Sequence, residues 1–330
     1  MDGSVIVRSG GTLTTVQDRG RFGSRRFGVP LSGALDPYAL RVANLLVGNP
    51  SDAAVLECTL RGPVLAFEHE TIVALCGGEF AADIDGEPIA SWRPVHVEAG
   101  SVLTVGTARR GLRCCLAIAG GIASAPVLGS RSTYLPAKLG GLEGRALQSG
   151  DVVPLGEPDE AAASIIERLR GKPVHWFVDA ADVYTADFAT PTIRAYAGAH
   201  AQHMPGYLEA FFDCEFTVTP ASDRMGYRLR ADLPEFDAPG GLVSEPVVPG
   251  TVQQPPGSEA IVLMADAQTT GGYARVAHVA DVDLPRLAQA SPGARIRFEP
   301  ITREQAVELL RTRERELARL AQAVRYQLVT

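Results

Sequence analysis

Lysine is almost absent from this 330-residue chain. Of its 31 cationic residues only Lys138 and Lys172 carry an amine, and the other 29 are arginines. No G-x-x-x-x-G-K-[ST] phosphate-binding loop occurs, and neither does the Met-Lys dipeptide to which biotin is usually attached. We therefore expect that this chain does not complete ATP-linked or biotin-linked chemistry by itself.

Long apolar runs and clusters of basic residues are also missing. No apolar segment reaches the roughly 18 residues needed to span a bilayer, so we expect no membrane insertion. The net charge of −7 argues against a nucleic-acid partner, which would require a positive patch. The first residues, MDGSVIVRSGGTL, lack the charged and apolar regions of a signal peptide, so we expect a cytoplasmic protein.

The five cysteines form no C-x-x-C pair, which favours free, buried thiols. Cys114 and Cys115 are adjacent in a predicted strand, and their side chains should therefore point to opposite faces. His200 and His203 are three residues apart, but no carboxylate pattern completes a metal site. The sequence thus predicts no bound metal.

Glycine and proline are plentiful, with 34 and 23 residues. Asp85-Gly86 between two extended runs predicts a two-residue hairpin turn. A glycine-containing turn followed by an alternating strand recurs at 98–106, 148–156 and 291–299. Turns that recur in this way favour a barrel or sandwich over βαβ units, so the sequence predicts a mainly β fold.

We expect two β-rich halves, residues 1–156 and 174–300, joined by a polar, Ala-rich linker at 157–173. Asp36 and Pro37 predict the start of a short helix, since Asp caps well and Pro suits the first helical position. Thr302 and Gln305 form a capping-box pattern that opens a C-terminal helix at 301–330. One side of that helix is apolar, which favours packing on the body of the protein and leaves a contact between subunits as the alternative.

Four segments combine glycines with polar side chains that turns alone do not need. Glycine lets the backbone approach a ligand closely, Gln and Asp match an amide or lactam edge, and Arg matches a carboxylate or phosphate. Together they predict a site for a small polar molecule. The segments are TTVQDRGRFG (14–23), GVPLSGALDPYALRVANLLVGN (28–49), SDRMGYRL (222–229) and ADAQTTGGY (265–273).

These segments occur in one order with two others, AGG-I…LGSRST and LVSEPVVPGTVQQPPG. The whole set, from about Val5 to Glu299, resembles the KipA-type family. That family is also called allophanate hydrolase subunit 2, the biotin-dependent carboxyltransferase family and the C-type subunit of 5-oxoprolinase. The resemblance implies cyclophilin-like β-barrel architecture in both halves.

The resemblance also implies a function in a heteromer. The chain would act with a KipI-type subunit of the allophanate hydrolase subunit 1 family and a lactam-utilisation-type subunit. The complex would be an ATP-dependent amide or lactam hydrolase that opens 5-oxo-L-proline to L-glutamate, with ATP at or near the partner. Two alternatives stay open: a carboxyltransferase of urea or allophanate metabolism that works with biotin, or a regulatory KipI-binding protein without turnover.

The enzyme hypothesis assigns roles to nine residues. Aspartates would act as a base or orient an amide nitrogen, arginines would hold a carboxylate, phosphate or carboxyphosphate, and glutamines would read the amide edge. The alternative for each is a bond that braces a loop. The candidate catalytic residues are Asp18, Asp36 and Asp266, and the candidate substrate-binding residues are Gln17, Arg19, Lys138, Arg224, Gln253 and Gln268.

The chain departs from the family pattern at two places. Ala267 and Ala274 stand where Arg and Pro are usual in ADRQTTGGYP, and Tyr134-Leu135-Pro136 replace an acidic residue and Arg after LGSRST. Two cationic contacts are lost as a result, which puts anion recognition and the identity of the substrate in question. Lys138 lies close in sequence and could replace one of them.

Overall fold

A computed structural model describes residues 3–184, 191–234, 242–257 and 259–329 of the chain. The chain forms two compact units, each assembled from separate parts of the sequence. The first comprises Met1–Phe22, Ser32–Ala180 and Leu317–Thr330, and the second comprises Gly23–Leu31 and Ala181–Glu316. The boundaries predicted at 157–173 and 301 stay predictions that follow from composition alone.

The first unit is built on a nine-stranded antiparallel sheet. Its central path runs in the order β2-β3-β8-β4-β1-β9, and β5 pairs with β6, β7 and β8. Two helices, α1 (Pro37–Leu46) and α2 (Glu160–Leu169), belong to this unit. The strands are β1 (Ser4–Ser9), β2 (Leu13–Gln17), β3 (Val55–Thr59), β4 (Val64–Phe67), β5 (Thr71–Ile84), β6 (Glu87–Pro88), β7 (Val95–Val97), β8 (Val102–Ile118) and β9 (Val152–Pro154).

The second unit contains a closed barrel of seven strands in the order β10-β17-β14-β15-β12-β11-β18, beside a two-stranded sheet, β13-β16. The barrel closes through the parallel pair β10 and β18. Its helices are α3 (Pro205–Asp213), α4 (Leu284–Ala288) and the first part of α5 (Arg303–Val329). The strands are β10 (Thr192–Ala197), β11 (Glu215–Val218), β12 (Gly226–Arg230), β13 (Glu245–Pro246), β14 (Thr251–Gln254), β15 (Ala260–Leu263), β16 (Thr270–Gly271), β17 (Ala274–Val279) and β18 (Arg295–Pro300).

The mainly β prediction is confirmed, and the predicted local signals act where they were expected. The Asp36 carboxylate accepts the Ala39 backbone N–H at 2.9 Å and caps α1. At the start of α5, the Gln305 side chain accepts from the Thr302 N–H at 2.7 Å and the Thr302 hydroxyl accepts from the Gln305 N–H at 3.1 Å. Both contacts satisfy N–H groups that a helix start leaves without an intrahelical partner.

Cys114 and Cys115 point to opposite faces of β8, as their adjacency predicts. Cys114 packs with Cys58 in the core cluster on one face, and Cys115 packs with Cys76 in the cluster that contains α1. All five cysteines are free, and burial raises the pKa of both adjacent thiols.

The apolar side of α5 packs, as predicted. Leu317, Val324 and Leu328 join the α1 cluster of the first unit, and Ala306 joins an apolar cluster of the second unit. Among the described residues, no helix has both the length and the apolar character needed to cross a membrane.

Candidate functional site

The nine predicted site residues are divided between the two units. The first unit holds Gln17, Asp18, Arg19, Asp36 and Lys138, and the second holds Arg224, Gln253, Asp266 and Gln268. Seven of them are expected to share one cleft, and that hypothesis stays a prediction: Gln17, Asp18, Arg19, Asp36, Arg224, Asp266 and Gln268.

The carboxylate of Asp18 organises the loop that contains the LGSRST motif. Its Oδ1 accepts the Ser130 and Ser132 hydroxyls at 2.7 and 2.6 Å and the Gly20 N–H at 2.8 Å. Its Oδ2 accepts the backbone N–H of Arg131 at 2.6 Å. Four donors occupy most of the acceptor positions of this carboxylate, which favours a positioning role. The catalytic role of Asp18 stays a prediction.

Two neighbouring side chains brace the same loop. Arg21 is fully buried, and its guanidinium donates to the Val127 carbonyl at 3.1 Å and to the Ser132 carbonyl. Gln17 is also fully buried, and its amide nitrogen donates to the Thr133 carbonyl at 3.1 Å. The Gln17 Oε1 atom has no hydrogen-bond partner among the described residues. A buried acceptor without a donor is costly, so this atom is a place where a ligand N–H could bind.

Beside the Asp18 loop lies a cavity of about 690 Å³ within the first unit. Two cationic residues, Arg19 and Arg131, line it together with Asp18 and Asp52. Much of the remaining wall is backbone, because five glycines contribute to it: Gly20, Gly120, Gly121, Gly129 and Gly156. Lys138 is exposed and is not part of this lining.

Two asparagines of the VANLLVGNP segment fix one wall of the cavity. Asn49 is buried; its Oδ1 accepts the Gly120 N–H at 2.8 Å, and its Nδ2 donates to the Ile118 carbonyl at 2.8 Å. Asn44 donates to the Ala53 carbonyl at 2.8 Å. These bonds join α1 and the residues just after it to two segments that line the cavity. The VANLLVGNP segment therefore supports the cavity wall.

Asp36 lies at the N-terminus of α1 and is not among the residues that line the cavity; it is 1% exposed. A second buried carboxylate, Glu57, accepts the Leu35 N–H at 2.7 Å. Burial raises the pKa of the Cys115 thiol, and the negative charges of Glu57 and Asp36 raise it further. Asp36 is therefore at least a helix cap, and its catalytic role stays a prediction.

In the second unit, Arg224 and Asp266 form a buried ion pair. The Arg224 Nε donates to Asp266 Oδ2 at 2.8 Å, and its Nη2 donates to Oδ1 at 3.2 Å. Their side chains are 7% and 2% exposed. The backbone repeats the link, because the Asp266 N–H donates to the Arg224 carbonyl at 2.9 Å. The guanidinium thus has an internal carboxylate as its partner.

Gln253 lies on β14, 1% exposed, and packs against the TTGG turn. A Cβ on Gly271 would lie 2.5 Å from the Gln253 Nε2 atom, so this approach requires glycine. That Nε2 has no hydrogen-bond partner among the described residues. Gln268, in contrast, is exposed. The turn therefore packs against one buried candidate, Gln253, while the other candidate glutamine, Gln268, faces solvent.

Both alanines that depart from the family pattern are buried. Ala267 is buried in a small apolar cluster with Val247 and Leu263, and Ala274 is buried on β17. An arginine at position 267 would introduce a charge into that cluster, which the short alanine avoids.

The histidines have ordinary structural partners. His200 accepts the Arg275 N–H at 3.0 Å, and the His203 ring lies 3.1 Å from the Gln202 amide nitrogen. Within the described ranges, no three His, Cys, Asp or Glu side chains are grouped as a metal ion would need. The expectation that no metal binds stays a prediction.

Sequence reasoning missed Arg131, Asn49, Glu57 and Arg21 as residues that build the site. Arg21, Arg131 and Asn49 lie inside segments that the sequence analysis singled out, but nothing in those motifs indicated their individual roles. Glu57 gives no signal of its own, because an acidic residue in a strand is expected to face solvent until its partner is known.

The comparisons with known proteins agree with this architecture. The family model described as "Carboxyltransferase domain, subdomain A and B" matches residues 27–300. The chain is 38% identical over 318 residues to the C-type subunit of the Escherichia coli 5-oxoprolinase, covering 96% of this chain and 97% of that protein. It is 36% identical over 301 residues to the C-type subunit of the Haemophilus influenzae 5-oxoprolinase, covering 91% and 92% of the two chains.

Among solved structures, the urea amidolyase of K. lactis aligns with a TM-score of 0.81 and 30% identity. That alignment covers 96% of this chain but 20% of the urea amidolyase, so the chain corresponds to about a fifth of that longer protein. The matches in sequence and structure, taken with the barrel and sheet described above, show that the chain belongs to the carboxyltransferase domain family.

Proposed function

We propose that this chain is the C-type subunit of a heteromeric 5-oxoprolinase, which opens 5-oxo-L-proline to L-glutamate with ATP. The observation that carries the proposal is the end-to-end match, at 38% identity, to a protein named as the C-type subunit of a 5-oxoprolinase. The match covers 97% of that relative, so the proposal rests on nearly the whole length of the relative and not on one part of it.

The buried polar groups support an amide or lactam substrate. The Gln17 Oε1 atom requires a donor, as a lactam N–H would be, and the Gln253 Nε2 atom requires an acceptor, as a lactam carbonyl would be. Each belongs to its own unit, so each is a separate candidate contact. Arg19 would bind a carboxylate, and Gln268 would assist at the amide edge from its exposed position.

ATP and biotin fit this chain's own residues poorly. Lys138 and Lys172 are both exposed, and neither lies in a phosphate-binding loop. We assign ATP to a KipI-type partner, and hydrolysis of the activated lactam to a third, lactam-utilisation-type subunit. This chain would bind and orient the substrate.

Reconstitution tests the proposal. We expect the purified chain, mixed with its KipI-type and lactam-utilisation-type partners, to form glutamate only when ATP and 5-oxoproline are both present. Omission of this chain should abolish the product. A Gln17→Glu variant should lower turnover, because a carboxylate in that buried position must be desolvated and no longer donates to Thr133. Full turnover without this chain would refute the assignment.

A second function, carboxyl transfer with biotin in urea or allophanate metabolism, is favoured by the family description and by the likeness to urea amidolyase. It requires a biotin carboxylase and a biotinylated domain on other chains. Avidin separates the two, since it would block carboxyl transfer and leave 5-oxoproline opening intact. Tight binding of a KipI-type protein with no turnover in either assay would favour the regulatory alternative.

A further inference from the structure

Two arginines in the first unit's cavity have unused binding capacity. Arg19 and Arg131 both line it, and neither forms a salt bridge with any described residue. The Arg131 Nε is buried and has no hydrogen-bond partner in the part of the chain that the structure describes. A buried guanidinium N–H without an acceptor is unfavourable, so the site is incomplete without one.

The position of Arg131 is fixed from both sides. Its backbone N–H is held by Asp18 at 2.6 Å, and the flanking residues Ser130 and Ser132 donate their hydroxyls to the same carboxylate. Arg21 secures the Ser132 carbonyl from beneath. The loop is therefore organised before any ligand arrives, which reduces the entropy lost on binding.

Part of the cavity wall is closely packed backbone around Gly120 and Gly156. A Cβ on Gly120 would lie 2.0 Å from the Gly156 carbonyl oxygen, and a Cβ on Gly156 would lie 2.4 Å from the Gly120 oxygen. Only glycines allow this approach. Two acidic residues also line the cavity, but neither forms a salt bridge with Arg19 or Arg131: Asp18 accepts four hydrogen bonds within its loop, and Asp52 is exposed to water.

We infer that Arg131, together with Arg19, forms the binding site for the oxyanion of a small ligand. The shared chemistry is a group with two or three oxygens that a guanidinium fork can pair with. It is either the carboxylate of the lactam substrate or an inorganic phosphate group. If the oxyanion is the substrate carboxylate, the inference rests on the proposed function, and Arg131 would then determine selectivity for lactams that carry a carboxylate.

Binding to the isolated full-length chain tests the inference without turnover. Ligand-observed NMR would compare three probes: 5-oxoproline, 2-pyrrolidinone, which is a lactam without the carboxylate, and inorganic phosphate. We expect 5-oxoproline or phosphate to bind and 2-pyrrolidinone to bind at least about tenfold more weakly. Preference for 5-oxoproline identifies the carboxylate, and preference for phosphate identifies the phosphoryl source. Equal binding of all three, or of none, overturns the inference.

The variants are Arg131→Gln, Arg131→Lys and Arg19→Gln, with the exposed Arg109→Gln as the matched control. Arg131→Gln should lower the affinity for the anion by about tenfold or more. Arg131→Lys should recover little of that affinity, since an ammonium lacks the guanidinium fork. Arg19 is exposed, so its variant should fold even if the others do not. Binding within about twofold of the parent in both Gln variants refutes the site. Anion binding without glutamate formation in the reconstituted complex would refute only the proposed function.

Discussion

Removal of the Asp266 carboxylate should destabilise the barrel strongly, because the buried Arg224 guanidinium loses the carboxylate with which it pairs. The two side chains are 2% and 7% exposed and are joined by two hydrogen bonds. The cost therefore arises chiefly from the partner that remains, not from the carboxylate that is lost.

The magnitude follows from the geometry. With the closest atoms at 2.8 Å and the charge centres at about 4 Å, an effective dielectric of about 20 gives roughly 4 kcal/mol. Loss of one member of a buried pair typically costs about 3–5 kcal/mol. We expect Asp266→Ala to fall in that range, and Arg224→Met with Asp266→Ala together to be less destabilising, since the double variant removes both charges of the pair.

Hydrogen exchange is the suitable assay. Both tryptophans, Trp92 and Trp176, belong to the first unit, so their fluorescence would not report on the barrel. Amide protection on β12 and β15, which pair beside Arg224, measures the opening free energy of the barrel itself.

The control is Glu215→Ala, which breaks more exposed ion pairs on the same barrel and should change that free energy by less than about 1 kcal/mol. The reasoning fails if Asp266→Ala lowers the opening free energy no more than this control does, or if the double variant is less stable than Asp266→Ala. A confirmed result would also show that lost activity in Asp266→Ala does not by itself identify a catalytic base.

Two further predictions concern the same barrel. Gly271→Ala should cost about 1–3 kcal/mol because its Cβ would lie 2.5 Å from the Gln253 Nε2, whereas Gly272→Ala, with its nearest contact at 3.4 Å, should be nearly neutral; urea midpoints compare them, and equal losses would contradict the packing argument. Burial lowers the pKa of His278 from its usual 6.5, so the unfolded chain binds the proton more readily than the folded chain. The stability that neutral His278 contributes should therefore be present above about pH 6.5 and be lost as the pH falls below it. Urea midpoints between pH 5 and 7.5 should depend less on pH in His278→Gln and be unchanged in the exposed His69→Gln; an unaltered slope in the first would contradict the assignment.

The features that the sequence predicted well are those set by neighbouring residues. The cap at Asp36, the capping box at Thr302 and the Asp85-Gly86 turn, where both residues have positive φ, depend on contacts within a few positions. The mainly β class also followed, because the spacing of turns is a local property.

The contacts that build the site join distant positions, and no local pattern indicates them. Asp18 binds Ser130, 112 residues later, and Arg224 pairs with Asp266, 42 residues later. Gly23–Leu31 belongs to the second unit although the residues before it belong to the first, and its Arg25 donates to the Val247 carbonyl, 222 residues later. No local pattern predicts either feature.

The scarcity of lysine has a structural counterpart in these bonds. Arg21 reaches two carbonyls at once, and Arg224 binds both oxygens of one carboxylate. A lysine ammonium, a single compact charge on a flexible stem, would replace neither arrangement without leaving an acceptor unmatched. Arginines of this kind are part of the framework, so their charge is no guide to the ligand.

The polar residues that resemble a catalytic set are therefore of two kinds. In one kind every strong donor or acceptor is matched inside the protein, as with the Asp18 carboxylate. In the other, one buried atom remains unmatched among the described residues: Gln17 Oε1, Gln253 Nε2 and Arg131 Nε. Because a folded protein rarely leaves such atoms without a partner, a ligand or another protein that pairs with them would form hydrogen bonds that the free chain lacks. Substitutions at the first kind should lower stability before they affect chemistry, whereas at the second kind a change confined to the unmatched atom should affect binding.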